Sequence, residues 1–219
     1  MAVHTEQYQQ IVQELQQANA TLVAVSKTKP VEDIRELYAL GQRDFGENYV
    51  QELTEKQPQL PADIRWHFIG HLQSNKIKFI VPFVHLIHGV DRLSLLEEIN
   101  KQALKQQRVI DCLLQVYIAR EETKFGLDET ELDQIMSQVQ QGAFPGVQIC
   151  GLMGMASFTD HEPQIRSEFQ QLHSLYTKYS KLHPSFQYLS IGMSGDYQIA
   201  LAEGSTMVRI GSLLFGARS

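Results

Sequence analysis

Eight short apolar segments alternate with amphipathic segments along this chain, and this alternation restricts its fold more than any other feature. The apolar segments have the length of buried strands, and they occupy residues 21–26, 44–46, 66–69, 85–90, 111–118, 147–153, 186–191 and 207–210. The segments between them carry apolar residues at helical spacing, as at Val31, Ile34 and Leu37, and there Gly41 follows as a C-terminal cap. Eight β-α units, preceded by one extra N-terminal helix, predict an α/β fold, a single closed (β/α)8 TIM-type barrel.

The length and composition of the chain fit one such barrel. Its 219 residues, 43% of them hydrophobic, suffice for a large core, and no linker divides them. We therefore expect a single domain over residues 1–219. The net charge of −6 and the scattered lysines and arginines provide no positive field for a nucleic acid backbone, so we expect no nucleic acid partner.

Cysteine usage and hydropathy indicate the compartment. Cys112 and Cys150 each lie in an apolar segment, which favours buried free thiols over a disulfide. No apolar stretch reaches the length of a membrane span, and the N-terminal segment has the spacing of a helix rather than the pattern of a signal peptide. The sequence therefore predicts a cytoplasmic protein that makes no membrane contact.

Chemically active residues directly follow several of the predicted strands. Lys27 ends the first strand and Asn48 follows the second, while glycine and serine residues follow the last two. These residues are Ser194, Gly195, Gly211 and Ser212. The carboxyl ends of barrel strands meet at one rim, where the loops after strands seven and eight commonly bind phosphate, although glycine-serine pairs also form ordinary turns. An amine beside a phosphate site suits a phosphorylated aldehyde.

Five segments together resemble one protein family. They are VSKTKP at 25–30, FGENYVQE at 45–52, WHFIGHLQSNK at 66–76, LSIGMSGD at 189–196 and VRIGS at 208–212. In this order they are similar to the pyridoxal phosphate homeostasis protein family, also called the YggS/PROSC family, and the resemblance spans nearly the whole chain. It implies a barrel of the alanine racemase N-terminal-domain type, as in fold type III pyridoxal phosphate proteins. It also implies pyridoxal 5′-phosphate (PLP), the active form of vitamin B6, as the cofactor.

The resemblance assigns roles to individual residues. Lys27 matches the lysine that holds PLP as a Schiff base, and Arg209 matches an arginine directed at the pyridine nitrogen. The cofactor-binding residues that it implies are Lys27, Asn48, Met193, Ser194, Gly195, Arg209, Gly211 and Ser212. Because an arginine remains charged, it disfavours protonation of the pyridine nitrogen and makes the ring a poor electron sink. This favours holding the cofactor over using it for carbanion chemistry.

Four other residues leave alternatives open. Lys29 either lowers the pKa of the neighbouring lysine, or assists cofactor transfer, or is simply solvated. Asn48 could cap the helix that begins near Val50 instead of contacting the cofactor, and Asp196 could cap the helix that follows it. Lys124 aligns with a Lys-Ser-Gly motif of the family, but Phe125 replaces the small residue and leaves the role of Lys124 open.

The histidines raise the question of a metal site. His67 and His71 are four residues apart, and His85 and His88 are three apart. At the end of a strand this spacing does not place two imidazoles on one face, as it would on a helix. We therefore expect packed or hydrogen-bonded histidines and no metal.

The resemblance implies a carrier rather than an enzyme. Only seven residues follow Ser212, so we expect neither the second β-rich domain nor the opposing tyrosine of the racemases that share this fold. The expected protein is a monomer that holds PLP on Lys27, acts in intracellular PLP homeostasis and delivery and in amino-acid and keto-acid balance, and passes PLP to apoenzymes. The alternatives are a small PLP-dependent racemase, lyase or transaminase, and a cofactor-free Schiff-base aldolase.

Overall fold

Eight strands close into a parallel barrel within the part of the chain that the structure describes, residues 3–119 and 125–216. In the computed structural model they are β1 Thr21–Val25, β2 Asp44–Glu47, β3 Arg65–Phe68, β4 Leu86–Val90, β5 Ile110–Gln115, β6 Val147–Met153, β7 Tyr188–Met193 and β8 Met207–Ile210. Each strand pairs with the next one along the chain, and β8 pairs with β1. The predicted (β/α)8 barrel is confirmed, and its strands all end at one rim.

Helices surround the barrel and connect its strands. The extra N-terminal helix is confirmed as α1, Thr5–Gln17. The others are α2 Val31–Ala39, α3 Val50–Lys56, α4 Ile77–Ile80, α5 Leu93–Lys105, α6 Glu129–Gln140, α7 Glu162–Ser180, α8 Tyr197–Ala202 and α9 Ser212–Phe215, with 3-10 turns at Gln57–Gln59 and Ser74–Lys76. Among the described residues no helix combines the length and the apolar character needed to cross a membrane.

Several strand bounds differ from those predicted, most of them by one residue. The larger differences are in β5, which ends at Gln115, three residues early, and in β7, which begins at Tyr188 and ends at Met193, two residues late at each end. The Phe186 N–H donates to the His183 carbonyl within a turn, and the Phe186 ring packs against an aromatic ring of α7. Tertiary packing of an aromatic residue thus takes precedence over its preference for a strand.

The buried apolar residues form two layers. A large outer cluster lies between the strands and the helices, and a small inner cluster lies inside the barrel. Consecutive strand residues alternate between them: in β8, Met207 belongs to the inner cluster and Val208 to the outer one. Arg209 is therefore directed into the barrel. Cys112 and Cys150 are buried free thiols, as predicted.

Candidate functional site

A cavity of about 420 Å³ opens at the rim where the strands end. All eight residues that the sequence singled out line it, and they come from the ends of β1, β2, β7 and β8. These residues are Lys27, Asn48, Met193, Ser194, Gly195, Arg209, Gly211 and Ser212. A larger open cleft of about 740 Å³ adjoins the cavity and shares Asn48 with it. We place the site in the smaller cavity because both the amine and the guanidinium lie there.

Lys27 lies in a tight turn immediately after β1. The Lys29 N–H closes this turn by donating to the Ser26 carbonyl at 3.1 Å. Thr28 has a φ of 63°, in the left-handed region that residues with a side chain rarely adopt. Such a backbone costs on the order of 1–2 kcal/mol and persists only where its surroundings hold it. The turn that presents the amine therefore needs support.

Five residues provide that support, and we call Ser26, Thr28, Glu47, Glu52 and Lys56 the turn cluster. The Lys56 ammonium donates to the Ser26 carbonyl (2.8 Å), to Glu47 Oε1 (2.8 Å) and to Glu52 Oε1 (2.6 Å), which uses all three of its N–H donors. The Thr28 N–H donates to Glu52 Oε1 at 2.5 Å, and the Ser26 hydroxyl donates to Glu47 Oε1 at 2.7 Å. Of the two residues that flank Lys27, Ser26 is thus bonded to the Lys56 ammonium and the Glu47 carboxylate, and Thr28 is bonded to the Glu52 carboxylate.

The central ion pair of the turn cluster is buried. The side chain of Glu47 is fully buried and that of Lys56 is 8% exposed. Burial raises the pKa of Glu47, while the charge and hydrogen bond of Lys56 oppose that rise. Removing one partner of a buried pair leaves the other charge without compensation, which makes such a pair costly to break. The conformation of the turn is therefore tied to this pair.

Arg209 reaches the cavity from inside the barrel. Its guanidinium donates from Nη1 to the Ser190 carbonyl (2.8 Å) and hydroxyl (2.6 Å), and from Nη2 to the Gly154 carbonyl (3.2 Å). Burial lowers the pKa of Arg209 to about 10, so the side chain remains a cation at neutral pH. Its Nε–H and second Nη2–H donate to no acceptor among the described residues. Both donors are thus available to a ligand in the cavity.

The loops after β7 and β8 meet at the cavity wall. The Gly211 N–H donates to Ser194 Oγ at 3.4 Å, and a Cβ added to Gly195 would meet no atom within 4 Å. Asp196 precedes α8, but its carboxylate accepts from the Met193 N–H at 2.6 Å instead of from that helix. Asp196 thus occupies the N-cap position of α8, as predicted, but its carboxylate makes no capping hydrogen bond to that helix. Its carboxylate instead closes the turn that presents Ser194 and Gly195.

The open alternatives for Asn48 and Lys29 resolve differently. Tyr49, not Asn48, occupies the N-cap position of α3, and Asn48 Oδ1 is a buried acceptor with no partner among the described residues. Buried acceptors in proteins are normally hydrogen-bonded, and a ligand in the cavity could supply the donor for this one.

Lys29 is buried and donates to the Phe215 carbonyl at 2.9 Å, so the solvated interpretation is wrong. Lys124 lies outside the described residues, and its role stays a prediction.

The histidines hydrogen-bond inside the barrel, although not in the pairs that their spacing suggested. His67 Nδ1 lies 2.9 Å from His88 Nε2, and His67 Nε2 lies 2.9 Å from Asp44 Oδ1. Asp44, His67 and His85 offer ligand atoms within 4.8 Å of one another. Arg65, however, donates to both carboxylate oxygens of Asp44, which disfavours a further cation there. The hydrogen-bonded arrangement is confirmed for His67 and His88, and the absence of a metal stays a prediction.

Asp44 gives the fold a defined sensitivity to acid. Burial raises the pKa of Asp44, but hydrogen bonds from His67 and Arg65 outweigh it and bring the pKa to about 2. Because this folded-state pKa lies below the unfolded value, the carboxylate stabilises the fold above about pH 4, and a contribution of about 2 kcal/mol is lost as the pH falls toward 2. We expect Asp44→Asn to lack this loss.

The measurement for this prediction is urea unfolding of the wild type and Asp44→Asn at a series of pH values. The difference between their free energies of unfolding should shrink by about 2 kcal/mol between about pH 5 and pH 2. Taking the difference removes the contribution of other carboxylates. If the difference in the free energy of unfolding is constant over this range, Asp44 is not stabilised as a carboxylate by His67 and Arg65.

Sequence reasoning missed the turn cluster and Ser190. Lys56 looks like an ordinary residue in the last turn of an amphipathic helix. Its spacing from Glu52, four residues earlier on α3, was the one available signal for their ion pair. The role of Ser190 depends on contacts between distant strands, which no local pattern encodes.

The comparisons with known proteins place the chain in a family. Residues 4–219 match the family model described as alanine racemase, N-terminal domain. A pyridoxal phosphate homeostasis protein of Aquifex aeolicus is 40% identical over 201 residues, which cover 91% of this chain and 87% of that protein.

Two structures of PipY from Synechococcus elongatus are also similar. The structure without PLP has a TM-score of 0.90 at 37% identity and covers 96% of this chain and 99% of its own. The structure with PLP bound has a TM-score of 0.82 at 38% identity, with coverages of 90% and 93%. The chain therefore belongs to the alanine racemase N-terminal domain family and, within it, to the pyridoxal phosphate homeostasis proteins.

Proposed function

We propose that this protein binds PLP in the cavity at the barrel rim, holds it as a Schiff base on Lys27, and serves to keep and deliver the cofactor. The observation that carries the proposal is the convergence of one amine, one guanidinium and two glycine-serine loops on a single space. PipY, at 38% identity, is known with PLP bound. PLP would supply an electrophilic carbonyl that a primary amine can capture reversibly.

The residues present fit this cofactor at several points. Gly195 lines the cavity, and a Cβ added to it would meet no atom within 4 Å, as expected for a wall that a phosphate approaches closely. Asn48 Oδ1 is a buried acceptor that has no donor among the described residues. Arg209 has two N–H groups available for a heterocyclic nitrogen or another acceptor. Lys27 lines the same cavity, on a turn that the turn cluster holds in one conformation.

The electrostatics of the cavity favour holding over catalysis. Arg209 remains a cation at neutral pH, and a cation beside a pyridine nitrogen opposes its protonation. Among the described residues that line the cavity, only the side chains of Lys27 and Lys29 belong to the usual proton-transfer groups. The Lys29 ammonium is bound to the Phe215 carbonyl. A second acid or base opposite Lys27, which racemisation by two bases requires, is lacking among these lining residues.

Transfer of the cofactor tests the delivery function. We expect the PLP-loaded protein to restore activity to a purified apo-aminotransferase, even when a scavenger of free PLP is present at a concentration that blocks reactivation by the free cofactor. A matched sample of Lys27→Ala, incubated with PLP and desalted, should not reactivate it. If the loaded protein is no better than free PLP under the scavenger, delivery is refuted, although binding would stand.

Exchange of hydrogen at Cα separates the carrier from a small racemase or lyase. The loaded protein is incubated with individual amino acids in D₂O, and deuterium incorporation is followed by mass spectrometry. We expect exchange no faster than that of free PLP at the same concentration. Rapid, stereospecific exchange of any amino acid would assign catalysis to the site.

Gly195→Ala should weaken PLP binding without harming the fold. The added methyl group meets no protein atom within 4 Å, so its effect falls on whatever occupies the cavity. We expect the dissociation constant for PLP to rise about tenfold, which corresponds to about 1.4 kcal/mol. The unfolding temperature should change by no more than about 2–4 °C. Both quantities follow from PLP titration and thermal unfolding.

Gly41→Ala is the matched control for this prediction. Gly41 also has no atom within 4 Å of an added Cβ, but its φ is 104° and it lies after α2, away from the cavity. This variant should lose stability and keep its affinity for PLP. Equal affinities in Gly195→Ala and the wild type would argue against phosphate at this wall.

The proposal extends to the cellular setting. We propose a single-domain, cytoplasmic monomer whose recipients are PLP-dependent apoenzymes. Size-exclusion chromatography with light scattering tests the monomer, because a dimer would elute with twice the 25.0 kDa chain mass.

A further inference from the structure

A chain of buried hydrogen bonds runs through the barrel and ends on Arg209. Nη1 of Arg209 donates to the Ser190 hydroxyl at 2.6 Å, and that oxygen lies 3.1 Å from His88 Nδ1. His88 Nε2 lies 2.9 Å from His67 Nδ1, and His67 Nε2 lies 2.9 Å from Asp44 Oδ1. We call Ser190, His88, His67 and Asp44 the interior chain. All four residues are buried.

The interior chain connects the two ends of the barrel. Asp44 is the first residue of β2, at the end opposite the cavity, while Arg209 lies near the carboxyl end of β8. His67, His88 and Ser190 are the third residues of β3, β4 and β7, between these two levels. The surrounding inner cluster is apolar, and polar groups in such surroundings are tolerated when they are hydrogen-bonded to one another.

The two ends of the interior chain fix the direction of its hydrogen bonds. Because a carboxylate only accepts, His67 carries a proton on Nε2, and because a guanidinium only donates, the Ser190 hydroxyl accepts from Arg209 and directs its own proton at His88 Nδ1. A neutral His88 then carries its proton on Nε2 and donates it to His67 Nδ1. Burial above all lowers the pKa of His88 well below its usual value, consistent with a neutral ring.

We propose that His88 is a positioning residue for Arg209. By accepting the proton of Ser190, His88 holds that hydroxyl as an acceptor for the guanidinium. The guanidinium is thereby held with its Nε–H and second Nη2–H toward the cavity. Without this acceptor the hydroxyl is free to rotate, and Arg209 loses one of its three protein acceptors. The expected effect of His88 on PLP binding rests on the proposed function. The direction of the hydrogen bonds and the fixed position of the Arg209 side chain do not depend on it.

The first test uses the protein without cofactor. In ¹⁵N-histidine-labelled protein, the ring nitrogens of His67 and His88 should both show the neutral tautomer protonated at Nε2, near pH 7. The signals are assigned by their loss in His67→Gln and His88→Asn. A proton on Nδ1 of His88, or a cationic His88, would overturn the proposed direction of the chain.

The second test compares two substitutions of His88. Asn places an amide oxygen where Nδ1 was and retains the acceptor for Ser190, whereas Leu has a similar volume and no acceptor. In cofactor-free protein we expect the hydrogen exchange of Arg209 Nε–H to accelerate at least tenfold in His88→Leu and to change less than about threefold in His88→Asn. Equal exchange rates in the two variants would refute positioning by His88.

The third test measures the absorbance and the affinity of bound PLP. With PLP, His88→Leu should shift the absorbance maximum of the bound cofactor and raise its dissociation constant about tenfold, and His88→Asn should retain both wild-type values. Leu86→Ala, two residues earlier on β4 in the inner cluster, is the packing control and should lower the unfolding temperature without shifting the absorbance.

These measurements separate the two proposals. If the wild type takes up no PLP, the proposed function fails, and the tautomers and the exchange of Arg209 still decide the role of His88. If PLP binds and neither His88 variant differs from the wild type in exchange or absorbance, the role of His88 is refuted and the proposed function stands.

Discussion

Lys27→Ala is expected to abolish the absorbance band of protein-bound PLP while the protein remains folded. Lys27 lines the cavity and belongs to neither buried apolar cluster, so the loss of its side chain should remove few packing contacts. The unfolding temperature should stay within about 2–4 °C of the wild type, equivalent to about 1 kcal/mol for a chain of this length. PLP should be lost on desalting, because only non-covalent contacts remain. Absorption spectroscopy and thermal unfolding measure the two effects.

Two further variants make this expectation specific. Lys27→Arg keeps the positive charge but cannot form a Schiff base, so it should lose the band as completely as Lys27→Ala does. Lys29→Ala should keep the band and lose about 1–3 kcal/mol of stability, because its ammonium is bound to the Phe215 carbonyl. A full-strength band in Lys27→Ala, or its loss in Lys29→Ala alone, would move the attachment point to Lys29.

Lys56→Met should destabilise the fold more than either Lys27→Ala or Lys29→Ala does. It removes the counter-ion of the fully buried Glu47 and frees the Ser26 carbonyl. It also leaves Glu52, which accepts from the Thr28 N–H, without its ammonium partner. Leaving one member of a buried ion pair unpaired costs about 3–5 kcal/mol. The free energy of unfolding, measured in urea at pH 7, should fall by that amount. PLP binding should weaken in parallel, since the turn that contains the strained Thr28 loses part of its support.

The matched control for this variant is Lys101→Met. Lys101 pairs with Glu98 on the surface of α5, and such exposed pairs contribute about 0–1 kcal/mol. The double variant Lys56→Met/Glu47→Gln, which also removes the buried negative charge, should recover part of the lost stability. If Lys56→Met costs no more than Lys101→Met does, the turn cluster is not what holds the amine in place.

Much of the fold follows from local patterns. Alternating apolar segments predicted all eight strands, and Gly41 marked the end of α2 because its φ of 104° suits a residue without a Cβ. Positions directly after the strands gave six of the residues that line the cavity, since parallel strands of a barrel end at one rim, and the family resemblance added Met193 and Arg209. Spacing and topology together were enough to locate the site.

The support of the site could not be predicted in the same way. The link from Lys56 to Ser26 spans 30 residues, and that from His88 to Ser190 spans 102. Such contacts depend on how whole elements pack, which no short window of sequence encodes. Asp196 shows the same limit, because its position suggested a helix cap and its carboxylate instead bonds backward to the Met193 N–H.

Covalent attachment of PLP to Lys27 underlies the whole of the proposed function. Borohydride reduction of the PLP-loaded protein, followed by proteolysis and mass spectrometry, tests this attachment directly. We expect one pyridoxyl-phosphate adduct per chain, located on the peptide that contains Lys27. An adduct on another lysine, or no adduct in protein that was saturated with PLP before reduction, would contradict it.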